Sequence, residues 1–189
     1  MRYVALLRGI NVGGRNKVAM ADLRQVAESL GHTEVATYIQ SGNLVFTSTG
    51  DNASGGLAGA LADALEREIA RSLAVRPAVV VLSRADLAQV IADNPFPGES
   101  NPKALHAVFR REALTADAVE AIAAAEQKAR AKGSEDEVII VGRTLFLRTP
   151  DGLGRSELAA QLARVGSQAA GTARNWATVT KLMAMLDPA

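Results

Sequence analysis

The chain opens on an apolar run, Tyr3 to Leu7, which reads as a buried strand. The polar stretch Arg8-Gly9-Ile10-Asn11-Val12-Gly13-Gly14-Arg15-Asn16-Lys17 follows as a loop. Met20, Leu23, Val26, Ala27 and Leu30 then recur at the spacing of one helix face, and Gly31 supplies the stop. Val35 to Ile39 and Leu44 to Thr47 are strand-like runs around the turn signal Ser41-Gly42-Asn43. A polar loop, Gly50 to Gly56, leads into a long amphipathic helix marked by Leu57, Leu61, Leu65, Ile69 and Leu73. Pro77 breaks that pattern, and Ala78 to Leu82 is again a strand. The order is β-α-β-β-α-β, the split-βαβ or ferredoxin-like arrangement.

The same order then repeats without repeating residue identities. Ser83 caps a connecting helix, with Asp86 at the capping-box position, and Asn94-Pro95-Phe96-Pro97-Gly98 ends it. Leu105 to Phe109 is a strand, and Thr115 caps an alanine-rich helix carrying Val119 and Ile122. Val138 to Val141 and Thr144 to Leu147 form a hairpin about Gly142-Arg143. Ser156 caps a helix with Leu158, Leu162 and Val165, and Ala169 to Ala173 supplies a last strand. Trp176, Val179, Leu182, Met183 and Leu186 mark an extra C-terminal helix, with Trp176 as a core anchor. The reading is an α+β chain of two ferredoxin-like (βαββαβ) subdomains with mainly antiparallel sheets. Residues 1–83 form the first, and residues 84–189 hold the linker helix, the second subdomain and the C-terminal helix.

Composition narrows the chemistry. The 189 residues are 48% hydrophobic but only 4% aromatic, so the core is built from Ala, Val, Leu and Ile. Twenty-one basic and 20 acidic residues leave a net charge of +1, which argues against a general polybasic coat for nucleic acid. With no cysteine, disulfides, thiolate catalysis and Cys-based metal sites are excluded. His32 and His106 stand alone without ligand spacing, so no metal is expected; His32, after Gly31, reads as a surface residue and His106 as a structural one. No apolar stretch approaches the roughly 20 residues of a membrane span, so the expectation is a cytoplasmic protein without membrane association.

Polar residues gather at three loop-to-helix junctions. They are Arg8 to Lys17, Pro150 to Ser156, and Thr172 to Trp176 with Thr178 and Lys181 beyond. Unpaired N–H groups and the dipole make a helix start attractive to anions, glycines allow close backbone approach, and Arg offers a bidentate fork. The same residues also serve as turns, caps and solvated surface. Gly9 and Gly14 have the G-x-x-x-x-G spacing of a phosphate-binding loop, but Arg15 and Asn16 stand where Lys and Ser or Thr are needed. No dinucleotide fingerprint is present, and no cofactor is expected. Ser41 lacks the context of a nucleophile elbow. Tyr3 and Tyr38 lie on strands and would offer a base-stacking platform if they shared an open sheet face, although the aromatic pattern of ferredoxin-like RNA binders is absent.

Several of these segments together resemble the bacterial family called domain of unknown function 1697. They are Ala5-Leu6-Leu7-Arg8-Gly9-Ile10-Asn11-Val12-Gly13-Gly14, Thr37-Tyr38-Ile39-Gln40-Ser41-Gly42-Asn43, Asn94-Pro95-Phe96, Gly152-Leu153-Gly154-Arg155-Ser156 and Ala173-Arg174-Asn175-Trp176-Ala177-Thr178-Val179. The resemblance spans nearly the whole chain. It implies two ferredoxin-like subdomains and no established activity. Three positions depart from the pattern: Glu157 where Lys is common, Thr149 where an aromatic is common, and Gly171 at an alanine-like position.

Three functions compete. In the first, the junctions converge in a cleft between the halves. Arg8, Asn11, Lys17, Arg155, Ser156, Arg174, Asn175 and Lys181, with Ser41 and Asn43 of the turn, then hold a nucleotide, a phosphorylated metabolite or a short RNA. The near-zero net charge favours a small anion over a long nucleic acid. In the second, the protein is an enzyme on a phosphorylated substrate, with Arg8 and Arg174 as an electrostatic clamp and Ser156 or Asp151 as nucleophile or base. In the third, the polar motifs only fix structural joints of an adaptor. Whether the arginines face solvent or meet backbone carbonyls separates these readings. Oligomeric state is not encoded in these patterns.

Overall fold

The computed structural model describes residues 1–49, 56–166 and 170–187. The first half contains β1 (Arg2–Leu7), α1 (Met20–Ser29), β2 (Thr33–Tyr38), β3 (Asn43–Thr47), α2 (Leu57–Leu73), β4 (Val79–Ser83) and α3 (Arg84–Ala92). The second contains β5 (Leu105–Phe109), α4 (Ala116–Arg130), β6 (Glu137–Val141), β7 (Thr144–Arg148), α5 (Glu157–Val165), β8 (Thr172–Asn175) and α6 (Trp176–Leu186). The sheets run β2-β3-β1-β4 and β6-β7-β5-β8, and every pairing is antiparallel. Each half is therefore βαββαβ with the first strand central. Most of the expected Gly50 to Gly56 loop lies outside the described residues.

The chain divides into two compact units, Met1–Gln89 with the segment from Thr180 on, and Val90–Val179. In the first unit, Tyr3, Ala5 and Leu7 of β1 point with Leu44, Phe46, Val79 and Val81 to the helix side. There they meet Leu23, Val26 and Ala27 of α1 and Leu61, Leu65 and Ile69 of α2. Burying a side chain of this size contributes roughly 1.5–3 kcal/mol, so one helix stripe fixes the register of the strands beneath it. The alternate residues Val4, Leu6, Val45, Val80 and Leu82 are buried too. In the second unit, Val108, Leu145 and Leu147 pack against Ile122, Ala125 and Ala129 of α4 and Leu158 and Leu162 of α5.

The helix starts follow the capping logic of the sequence. The Ser83 amide and hydroxyl donate to Asp86 Oδ2 (2.9 and 2.6 Å), and the Asp86 amide returns a bond to Ser83 Oγ (3.1 Å). Thr115 Oγ1 accepts from Ala118 N (3.2 Å) and Ser156 Oγ from Ala159 N (2.8 Å). Edge strand β2 carries a register shift between Thr33 and Ala36, where Glu34 takes a left-handed backbone (φ 49°).

Four expectations need correction. The last strand is Thr172–Asn175 and so runs past the expected end at Ala173, because pairing with His106–Phe109 sets its limits; the expected start, Ala169, lies outside the described residues. Arg174 and Asn175 thus lie on a strand that passes directly into α6. Val119 is 40% exposed and does not belong to the apolar face of α4, which is Ala118, Ile122, Ala125 and Ala129. His32 is buried, its ring stacked on Phe46 at 4.4 Å, because the turn after Gly31 folds it back onto the sheet. Finally, Tyr3 and Tyr38 do not share a face. Tyr3 is fully buried on the helix side beside Phe46, whereas Tyr38 pairs with Asn43 and so points to the opposite side.

Candidate functional site

The loop between β1 and α1 is held open by its own asparagines. Asn11 Nδ2 donates to the carbonyls of Val18 (2.9 Å) and Gln40 (3.0 Å), and Asn11 Oδ1 accepts from the Val18 amide (2.9 Å). Asn16 Nδ2 donates to the Gly9 carbonyl (2.9 Å), the Asn11 amide to the Asn16 carbonyl (3.1 Å), and the Arg15 amide to the Val12 carbonyl (3.0 Å). Both asparagines have left-handed backbones (φ 53° and 48°), which Asn tolerates better than most residues. Ile10 plugs the underside at 2% exposure.

The neighbouring turn fits beneath this plug. Gly42 has φ 79°, and a Cβ there would stand 2.9 Å from Leu7 Cβ and 3.0 Å from Ile10. Its carbonyl accepts from Leu7 N (2.8 Å). Asn43 is fully buried, and its Nδ2 donates to the Tyr38 carbonyl (3.0 Å) and Ser41 Oγ (2.9 Å). Asn11, Ser41 and Asn43 therefore build the scaffold on which other groups are displayed.

What the scaffold displays is positive charge. Arg8, Arg15 and Lys17 are exposed, and their side chains have no hydrogen-bond or ion-pair partner among the described residues. No acidic residue precedes Asp22 in the chain. Gly9, Gly13 and Gly14 leave open space beside the backbone, with no atom within 4 Å of a hypothetical Cβ.

The second junction is built differently. The start of α5 already holds an anion, the buried carboxylate of Asp136. Its Oδ2 accepts from Ser156 Oγ (2.9 Å), Ser134 Oγ (2.6 Å) and the Leu158 amide (3.3 Å). The field that makes a helix start attractive to a ligand is thus answered within the chain. Ser156 is buried with its hydroxyl engaged as donor and cap. Arg155 and Asp151 are exposed beside a polar depression of about 380 Å³ that Asp136 and Glu157 also line. Glu157 accepts from Lys132 Nζ (2.6 Å) and Gln161 Nε2 (2.6 Å), and these bonds hold its carboxyl below the usual range.

At the third junction Arg174 is buried. Its Nη1 donates to Thr172 Oγ1 (2.9 Å) and the Ala173 carbonyl (2.8 Å), and burial pushes its pKa down to about 10. It remains a cation at neutral pH. Asn175 Oδ1 accepts from Thr178 N (2.9 Å), capping α6. Lys181 is exposed, and Trp176 is half-buried with its ring 6.2 Å from Phe146. His106 is buried, and desolvation lowers its pKa and that of His32.

A family model described as "Protein of unknown function (DUF1697)" matches residues 1–146, which include the whole Arg8–Lys17 loop and the Tyr38–Asn43 turn. The chain belongs to the DUF1697 family. A solved structure, the conserved bacterial protein SP0830 from Streptococcus pneumoniae, is 28% identical. It aligns over 98% of both chains with a TM-score of 0.73. A search of curated proteins finds no match. In this DUF1697 chain, no group of three or more His, Cys, Asp and Glu residues among the described residues could hold a metal ion. No described helix is long and apolar enough to cross a membrane.

Sequence reasoning missed Asp136, which carries no motif and is recognised only once β6 is set beside the start of α5. It also missed the division of labour in the first loop, where asparagines hold and cations face out.

Proposed function

We propose that this protein binds a phosphate-bearing ligand on the loop from Arg8 to Lys17. One observation carries the reading: three exposed cations without an acidic partner sit on a backbone fixed by asparagine hydrogen bonds. Like charges held together on a short loop repel one another, and an anion relieves that repulsion. Arginine forks suit phosphate oxygens, and the open glycines let backbone amides approach them. The fixed backbone reduces the ordering cost of binding.

Arg155 and Lys181 are exposed as well but lie outside this loop. Ser156 and Arg174 fit the structural role better, since their polar atoms meet the chain's own groups.

Thermal melting with pyrophosphate, nucleoside triphosphates and sugar phosphates, at low and physiological salt, tests the proposal. A ligand at a hundred times its Kd stabilises the folded state by about 2.7 kcal/mol. The expected result is a saturable rise that a triple Arg8→Gln, Arg15→Gln, Lys17→Gln variant loses while melting, without ligand, no lower than the parent. No rise with any phosphate, or a rise that the triple variant retains, overturns the reading.

A further inference from the structure

The same loop is bordered by two exposed aliphatic side chains that the fold does not account for. Ile39 is 52% exposed and has φ 47°, the left-handed region that a β-branched residue rarely enters. At the two comparable positions of the adjoining loop the chain places Asn11 and Asn16. Ile39 is therefore unfavourable twice over, as a hydrophobe in water and as a strained backbone. Such residues persist at sites where the strained group contacts a ligand.

Val12 is 66% exposed. Asn11, its chain neighbour, donates to the carbonyl of Gln40, the neighbour of Ile39 (3.0 Å). One hydrogen bond thus fastens together the two segments that carry these aliphatics. Tyr38, half-buried at the end of the edge strand, immediately precedes Ile39 and points to the sheet face opposite α1 and α2. Arg8, Arg15 and Lys17 belong to the same pair of segments.

We propose that the ligand of this loop is a single-stranded nucleic acid, its phosphates on Arg8, Arg15 and Lys17 and its bases against Tyr38, Ile39 and Val12. This rests on the phosphate-binding reading above and extends it. A free phosphate or sugar phosphate gives exposed aliphatic groups nothing to cover. A duplex hides its base faces in the stack. A single strand offers repeated phosphates for the arginine forks and flat apolar faces between them. The acid-free loop suits a strand whose every linkage is charged.

The test is fluorescence anisotropy with a short labelled oligouridylate, an abasic oligomer of the same length and a blunt duplex, beside pyrophosphate binding. Three neutralised phosphates predict a log–log salt slope of about −2 for the single strand. Loss of the bases is expected to weaken binding about tenfold, as removal of base stacking does. Ile39→Gly is expected to weaken the oligouridylate by a similar factor, leave the abasic oligomer unchanged and raise the melting temperature. Tyr38→Leu checks the ring separately, with its own melting curve as a control of folding.

Equal affinity for base-bearing and abasic oligomers overturns the base contacts and leaves the phosphate site standing. A duplex that binds as tightly as the single strand does the same. Pyrophosphate binding without any oligomer binding overturns this inference alone. Failure of every phosphate compound overturns both. An acidic amphipathic peptide that binds where every oligonucleotide fails overturns it in favour of a protein partner.

Discussion

Two glycines set tight limits on their surroundings. At Gly171 an added Cβ would stand 2.6 Å from Val108 Cγ1 and 2.7 Å from the Phe109 carbonyl, closer than atoms tolerate. Gly171→Ala and Gly42→Ala are each expected to destabilise by about 1–3 kcal/mol, read as a lower denaturant midpoint at unchanged slope. The buried histidines set a pH response. Burial lowers both pKa values below the usual 6.5 or so. As pH falls through that value the unfolded chain takes up protons first, so stability is expected to fall with acidification. Unfolding curves at neutral and mildly acidic pH, with imidazole proton shifts followed by NMR, check the sign. His106 was legible as a structural residue from its place on a strand, but His32 was not. Gly31 ahead of His32 looked like the edge of a surface turn, and only the fold places the ring on Phe46.

At the level of elements, strands and helices were legible because hydrophobic period and capping residues agreed. Ser83 with Asp86, Thr115 and Ser156 each cap the helix that their position announces. The last strand was read too early because it is short and holds a single apolar residue, Ala173, so pairing rather than composition decides its ends. The anion at the start of α5 was not legible either. Asp136→Ala strips an acceptor from two hydroxyls and the Leu158 amide. It is expected to cost about 2–3 kcal/mol, against about 1 kcal/mol for Thr115→Ala, where a single cap bond is lost. Chemical denaturation of the two variants side by side checks the ranking. If Asp136→Ala instead matches Thr115→Ala, the carboxylate adds little beyond the ordinary cap.

At the level of the whole molecule, the two repeats of one element order were visible from sequence, and both sheets share one topology. The part played by the last residues was not. The segment from Thr180 on joins the first unit, with Leu182 and Leu186 buried and Arg84 Nη2 2.6 Å from Asp187 Oδ1. Truncation before Thr180 is expected to remove a few kcal/mol from that unit, at roughly 1.5–3 kcal/mol for each buried leucine. Hydrogen exchange would show it as lost protection within the first unit, far away in sequence. The exposed ion pair adds little by comparison.

The irregular stretch of β2 around Glu34 has a consequence for molecules in company. An edge strand is an open template on which a neighbouring copy can lay down a strand of its own. The shift between Thr33 and Ala36 interrupts that template, and Glu34 adds a charge where a newcomer would have to bury it. One left-handed residue thus breaks the straight run of backbone groups that a second strand would need in order to pair along this edge.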